Sequence, residues 1–273
     1  MVLMSHNQPP ERWNAWKSVE EDGMRLRVGS CGEDIDVTIV SPATSSGTVV
    51  IFLHGFMSHQ AGEKARFFRD VLVQRGVTFV TFDFRGHGQS SGTMRELTGT
   101  RLLEDGHAVV EHMASADRRI VLVGSSMGGW VAAWYATLHP GRIAANMLIA
   151  PSFTFGREFL DHLGPEGAAT WARDGVIRFS NEYGSVELGY ELIRDMEHYS
   201  VTELARRYHT PTLIGQGMRD PIVDYRQTLA FAEQCRGEEM TLALFKDGDH
   251  RLTAHKAELA ELLLSFLARQ NLI

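Results

Sequence analysis

From residue 48 onward the chain alternates near-continuous apolar runs with stretches in which apolar residues recur at helical spacing. The runs at 48–53, 77–84, 119–124, 143–149, 211–215 and 240–245 read as strands buried on both faces, and 61–75, 101–115, 127–138, 224–236 and 254–269 read as helices. Strand followed by helix, repeated, predicts a parallel sheet, because the crossover between parallel strands lays a helix on a sheet face. Two earlier segments, Met24–Val28 and Ile35–Val40, alternate apolar and polar residues. The turn-forming residues Gly29–Asp34 between them predict an antiparallel hairpin leading into that sheet.

One stretch breaks the rhythm. Between Ala150 and Thr212 lie about sixty residues without strand character, too long for a structureless loop in a compact domain. The expectation is a small helical insertion over residues 152–208, acting as a lid on a core formed by residues 1–151 and 209–273. Its Phe155, Phe159 and Trp171 are candidates for contact with a substrate, since a solvated connector would carry fewer large apolar side chains.

Composition narrows the classes. Hydrophobic residues at 44% and charged residues at 22% exclude a disordered or fibrous chain. A net charge of −7 argues against nucleic acid or an anionic membrane as partner. The longest apolar run, Thr48–Leu53, falls far short of the ~18–20 residues of a membrane span. Two cysteines, Cys31 and Cys235, are too few for a disulfide scaffold and suggest a reducing compartment. Met1–Trp16 lacks the basic-then-apolar pattern of a leader, so a cytoplasmic protein is expected.

Candidate chemistry begins at Ile120–Trp130, where an apolar strand meets Gly124-Ser125-Ser126-Met127-Gly128 and then a helical run. Ser126 has glycine two positions before it and two after. A nucleophile on a sharp strand-to-helix turn crowds both elements and admits only small residues there. Ser125 fails this test, with Val123 and Met127 at the same spacing. Acyl transfer also needs two amide donors aimed at the oxygen that turns negative. One is expected from the N–H of Met127 and the other from the N–H of Phe56, in the strand end Phe52-Leu53-His54-Gly55-Phe56. His54 is read as a brace for that loop.

With acid and base following the serine in the order Asp, then His, only His250 and His255 lie beyond the last strand. His250 stands in the polar turn Lys246–His250, whereas His255 is expected inside the final helix. The acid is expected at Asp220, after the penultimate strand, to fix the imidazole tautomer. Asp224 reads as a helix cap with Gln227 three positions on, and Asp249 as a neighbour whose side chain diverges from His250. The run Phe82–Ser90 matches neither zinc nor phosphate-loop spacing and reads as a rigid loop at the pocket rim. No metal and no cofactor is expected.

Together His54-Gly55-Phe56, the Asp83–Ser90 loop, Gly124–Gly129, Gly217–Val223 and Gly248-Asp249-His250 resemble the α/β-hydrolase superfamily, over about residues 48–270. The resemblance implies a mostly parallel eight-stranded sheet with helices on both faces and a small helical lid after the sixth strand. It implies a Ser126–His250–Asp220 triad that forms a covalent acyl-enzyme from a small carboxylic ester or thioester. Gly124–Trp130, Gly217–Val223 and Asp249–Arg251 look like the serine esterases and thioesterases of the acyl-glucuronide esterase and acyl-protein thioesterase group. Dehalogenases and epoxide hydrolases of this superfamily have aspartate where Ser126 stands. Carbon–carbon bond hydrolases, peptidases and ligand-binding receptors share the triad and stay open at this point.

Overall fold

Alternation along each strand decides which face of the sheet a residue enters. The computed structural model describes residues 19–29, 32–181 and 184–273; Met1–Trp16 and Cys31 lie outside them. The first elements are β1 (Glu20–Val28), β2 (Glu33–Ser41), β3 (Thr48–Leu53), α1 (Glu63–Val73) and β4 (Thr78–Phe82). A short 3-10 turn, Met94–Glu96, precedes α2 (Gly99–Met113), β5 (Arg119–Ser125), α3 (Met127–Leu138) and β6 (Ala145–Ile149). Then come α4 (Arg157–Asp174), β7 (Val176–Asn181), β8 (Gly184–Gly189), α5 (Glu191–Met196) and α6 (Val201–Arg207). The chain closes with β9 (Thr212–Gly217), α7 (Tyr225–Gln234), β10 (Met240–Phe245) and α8 (Lys256–Arg269).

Eight strands form one sheet in the order β1-β2-β4-β3-β5-β6-β9-β10. The pairs β1–β2 and β2–β4 are antiparallel, and the other five pairs are parallel. Val49, Ile51 and Leu53 of β3, with Ile120 and Leu122 of β5, join the core under α2, α3 and α7. Val50, Phe52, Val121 and Val123 point the other way and meet Phe68 of α1 and Leu263 of α8. α3 runs between sheet and insert, and residues Met127–Thr137 are all buried, so it is apolar on every side.

Register brings the ends of the parallel strands level. Leu53 pairs with Gly124, Ser125 with Ile149, Ile149 with Gly215, and Phe245 with Gly217. The segments that follow these positions, beginning at His54, Ser126, Met218 and Lys246, therefore emerge at one edge, where ligands bind in such sheets.

The loop after β4 is held by charge as well as hydrogen bonds. Asp83 accepts from the amides of Gln60 (2.7 Å) and Gln89 (2.9 Å), and Ser90 Oγ donates to the Asp83 carbonyl (2.5 Å). The Arg85 guanidinium, 4% exposed, donates to Asp105 Oδ1 (2.5 Å), Glu33 Oε2 (2.9 Å) and Glu104 Oε2 (2.7 Å). Asp105 is a buried carboxylate on α2 whose second oxygen accepts from the Arg85 amide (2.8 Å).

The segment between β6 and β9 differs from the all-helical expectation. α4 breaks at Gly164 (φ 66°, ψ 177°), and Pro165 then opens its second half, where a missing N–H does no harm. The antiparallel hairpin β7–β8 follows, pairing Ile177 with Leu188 and Phe179 with Val186. Its strands alternate half-buried apolar residues with exposed Arg178, Ser180 and Glu187, a pattern hidden by their shortness and polar content. β8 closes onto the core where a Cβ on Gly189 would sit 2.4 Å from the Arg95 carbonyl. No helix among the described residues is long and apolar enough to cross a membrane.

Removing the Arg85 guanidinium leaves the Asp105 carboxylate buried without its counter-charge. Arg85→Met should lower the unfolding free energy by about 3–5 kcal/mol, read from urea denaturation at pH 7. The double variant Arg85→Met, Asp105→Leu should recover part of that loss, because neither charge is then stranded.

Candidate active site

Ser126 occupies the turn between β5 and α3 at φ 53° and ψ −113°, a region that side-chain-bearing residues avoid. Its amide donates to the Ile149 carbonyl (2.9 Å), and its carbonyl accepts from Gly129 (2.9 Å) and Trp130 (3.1 Å). A Cβ on Gly124 would fall 2.2 Å from the Gly128 carbonyl oxygen, and one on Gly128 would fall 2.1 Å from that of Leu53. The two glycines that mark Ser126 in the sequence are thus demanded by backbone contact.

Asp220 and His250 reach this serine from the segments after β9 and β10. Ser126 Oγ lies 3.0 Å from His250 Nε2, and His250 Nδ1 lies 2.8 Å from Asp220 Oδ2. A carboxylate only accepts, so Nδ1 carries the proton and Nε2 is free to accept from the serine hydroxyl. The Asp220 side chain is fully buried, and its Oδ1 accepts from the amides of Ile222 (2.8 Å) and Val223 (2.9 Å). Besides His250, Gln216 Nε2 reaches Oδ2, at 3.1 Å. The β9 end packs tightly against the histidine loop, since a Cβ on Gly217 would lie 2.4 Å from the Gly248 carbonyl.

The competing residues sit elsewhere. Asp249 turns its Oδ1 to the Leu252 amide (2.8 Å), and Asp224 caps α7 through the Arg226 amide (3.0 Å). His255 is the N-cap of α8 and not inside the helix as expected; its ring nitrogens lie beside Glu258 (3.1 Å) and Asp247 (3.4 Å). The expected register of that helix began two residues early.

The turn Gly55–Ser58 carries Phe56, with Ser58 N–H donating to the Gly55 carbonyl (3.2 Å) and Met57 at φ 53°. A Cβ on Gly55 would sit 3.4 Å from Ser126 Cβ, so this backbone comes up against the serine. Met127 opens α3, and its N–H is among those a helix leaves without an intrahelical acceptor. His54 braces the turn: Nδ1 donates to the Gly55 carbonyl (2.8 Å) while Nε2 accepts from the Phe84 amide (3.2 Å). The bond from Phe84 requires the neutral ring.

Above the turn, Phe56 contacts Phe159 (ring centroids 5.1 Å), Phe179 (5.9 Å) and Phe155 (6.3 Å). Trp171 stands one layer further back, 6.5 Å from Phe159, fully buried, its Nε1 donating to the Leu188 carbonyl (3.0 Å). Phe179 comes from the hairpin that the sequence pattern left unread.

The family described as serine aminopeptidase S33 (Hydrolase_4) matches residues 44–178 and 178–257. The chain belongs to this family. Mouse (Mus musculus) mitochondrial palmitoyl-protein thioesterase ABHD10 is 28% identical over 210 residues, spanning 74% of this chain and 69% of that protein. A putative hydrolase from Agrobacterium vitis S4 superposes with a TM-score of 0.80 at 30% identity, covering 91% of this chain and 98% of that one. Est1E from Butyrivibrio proteoclasticus, with ferulic acid bound, shares the fold at a TM-score of 0.72 and 22% identity over 90% of this chain and 99% of that one. The protein is a hydrolytic enzyme of α/β-hydrolase fold.

Two charged groups near the hydrolase's serine were missed in the sequence. Lys64 Nζ donates to Ser125 Oγ (3.0 Å) and the Arg251 carbonyl (2.5 Å), tying α1 to both the serine turn and the histidine loop. Burial first, and the Arg251 charge second, bring this amine down to about 8. Glu158 of α4 accepts from Ser152 (2.7 Å) and Thr154 (3.0 Å), and burial raises its carboxyl above the usual range. Neither stands in a motif; each is defined by contacts across the fold. A cavity of about 560 Å3 lies behind the Ser58–Ala61 segment, bordered by Thr38, Arg66 and Gln89, and Ser126, Asp220 and His250 take no part in it.

Burial also governs how the hydrolase responds to acid. It pulls His54 down to about 4 and His87 to about 3, and His87 Nε2 has no hydrogen-bond partner among the described residues. Unfolded histidines protonate near pH 6.5. Below that pH the unfolded chain binds protons that the folded chain refuses, so stability is full above about 6.5 and is lost as pH falls toward 4. The urea midpoint should drop from pH 7 to pH 5, and drop less in His87→Phe, which removes one of these two titrations.

Proposed function

We propose that the protein is a serine hydrolase that cleaves carboxylic esters or thioesters through a covalent acyl-enzyme. The observation that carries this reading is the unbroken chain Ser126 Oγ–His250 Nε2 (3.0 Å) and His250 Nδ1–Asp220 Oδ2 (2.8 Å) on a strained turn. As Ser126 Oγ bonds to the acyl carbon, its proton passes to His250 Nε2, and Asp220 stabilises the imidazolium. The carbonyl oxygen becomes negative facing the N–H groups of Phe56 and Met127. When the bond to the leaving group breaks, His250 hands its proton to the departing alkoxide or thiolate. Water then gives a proton to His250 while its oxygen attacks the acyl carbon, and Ser126 leaves with that proton restored. The products are a carboxylic acid and an alcohol or thiol.

The aromatic wall of Phe56, Phe155, Phe159 and Phe179 supports an apolar acyl group, as do relatives named as a palmitoyl-protein thioesterase and an esterase with ferulic acid bound. Residues 152–208 act as the lid that carries three of these rings. Two cysteines in the chain fit a reducing compartment, cytoplasmic in this reading.

Ser126→Ala and His250→Ala should each lower turnover of an aryl ester by at least ~10³-fold while far-UV circular dichroism is unchanged, since such groups act as a unit. Full activity in Ser126→Ala would defeat the proposal, and cleavage of aminoacyl arylamides in preference to esters would point to a peptidase.

Phe159 and Trp171 should behave differently because they lie in successive layers. Phe159→Ala should move the preferred acyl length upward on a series from acetyl to decanoyl aryl esters, at ~1–3 kcal/mol per methylene. Trp171→Ala removes a buried brace and should lower thermal stability, by about 3–5 kcal/mol. An unchanged chain-length ranking in folded Phe159→Ala would make its ring a packing residue.

A further inference from the structure

Asp220 poses a problem of satisfaction. Its carboxylate is fully buried, and both backbone amides within reach, those of Ile222 and Val223, are spent on Oδ1. Oδ2 accepts from His250 Nδ1 (2.8 Å), and in a place closed to water its remaining lone pair needs a second donor, because an under-solvated carboxylate is costly. Gln216, itself fully buried on β9, supplies it from Nε2 at 3.1 Å.

The orientation of that amide is fixed from behind. Gln216 Oε1 accepts from the hydroxyl of Thr228 on α7 (3.1 Å), a residue as fully buried as the glutamine. Its Nε2 also donates to the Gly217 carbonyl (3.2 Å). Turned over, the amide would set its oxygen against a carboxylate and a carbonyl, so those acceptors select the useful face and the Thr228 hydroxyl holds the amide in it.

We propose that Gln216 is a positioning residue for the hydrolysis, holding Asp220 Oδ2 in line with His250 and sharing its charge, with Thr228 setting the amide. The inference rests on the function proposed above. A neutral donor on Oδ2 draws off part of the negative charge that the imidazolium sees, and losing that donor leaves more of the charge to act on His250. Other charged groups around the pair are Glu158 from α4, Lys64 from α1, and Asp249 and Arg251 from the histidine loop. None of them is altered by a change at Gln216.

The test compares Gln216→Leu and Thr228→Val with the parent protein on an aryl ester. Gln216→Leu should lose about tenfold in kcat with KM within about twofold, the size expected for one hydrogen bond to a charged group. The acid limb of its kcat/KM profile should move to higher pH, and Thr228→Val should show a smaller change in the same direction. A residue that merely packs would leave that limb in place. The NMR titration of the His250 ring, assigned by its absence in His250→Asn, reads the same shift without any substrate. An acid limb and a ring titration both unmoved in folded Gln216→Leu overturn the inference. If that variant does not fold, Thr228→Val is read by the same two measures. If the parent turns over no ester or thioester, it is the proposed function that fails, and the ring titration alone decides the role of Gln216.

Discussion

Ser126 is held at φ 53° between β5 and α3, in a turn so crowded that a Cβ on either Gly124 or Gly128 would lie within 2.2 Å of neighbouring backbone. A residue with a side chain in that region costs ~1–3 kcal/mol, which the surrounding structure must offset. Here the offset comes from the sheet: the Ser126 amide is bonded to Ile149 on β6, and α3, buried along its length, anchors the other side of the turn. Because β3, β5, β6, β9 and β10 end level, the same constraint that lifts the serine also fixes how far the segments bearing Phe56, Asp220 and His250 must reach. The His54 ring, neutral in its bonds to Gly55 and Phe84, performs for the Phe56 turn what Gln216 performs for Asp220.

The insert between β6 and β9 meets the core in two ways. Asp195 of α5 accepts from the amide and hydroxyl of Thr100 at the start of α2 (2.8 and 2.6 Å), a polar latch at its base. At the Phe56 turn the contacts are rings: Phe155, Phe159 and Phe179 gather around Phe56. The Phe159 and Phe179 rings meet Phe56 edge-on, a geometry that aromatic pairs prefer.

Much of this was legible in the chain. The strands were evident because buried parallel strands are apolar on both faces. Ser126, Asp220 and His250 could be named because glycine spacing and chain order are local signals, and their side chains do come within hydrogen-bond distance. What stayed hidden is non-local. Lys64 acquires its role by touching Ser125 and Arg251, 61 and 187 positions away. Gln216 lies one residue past the expected strand 211–215, although a glutamine beside an apolar run must find partners when buried, and that alone was a usable sign. The β7–β8 hairpin went unread because its short strands carry as many exposed polar residues as half-buried apolar ones.

The central claim is that an acyl group passes through Ser126. Rapid mixing of the protein with an excess of a p-nitrophenyl ester, followed by acid quenching and peptide mass mapping, tests it most directly. A burst of about one equivalent of nitrophenolate should precede steady turnover, with an acyl mass on the peptide that contains Ser126. Steady turnover with the acyl mass on another residue, or undiminished in Ser126→Ala, would contradict it.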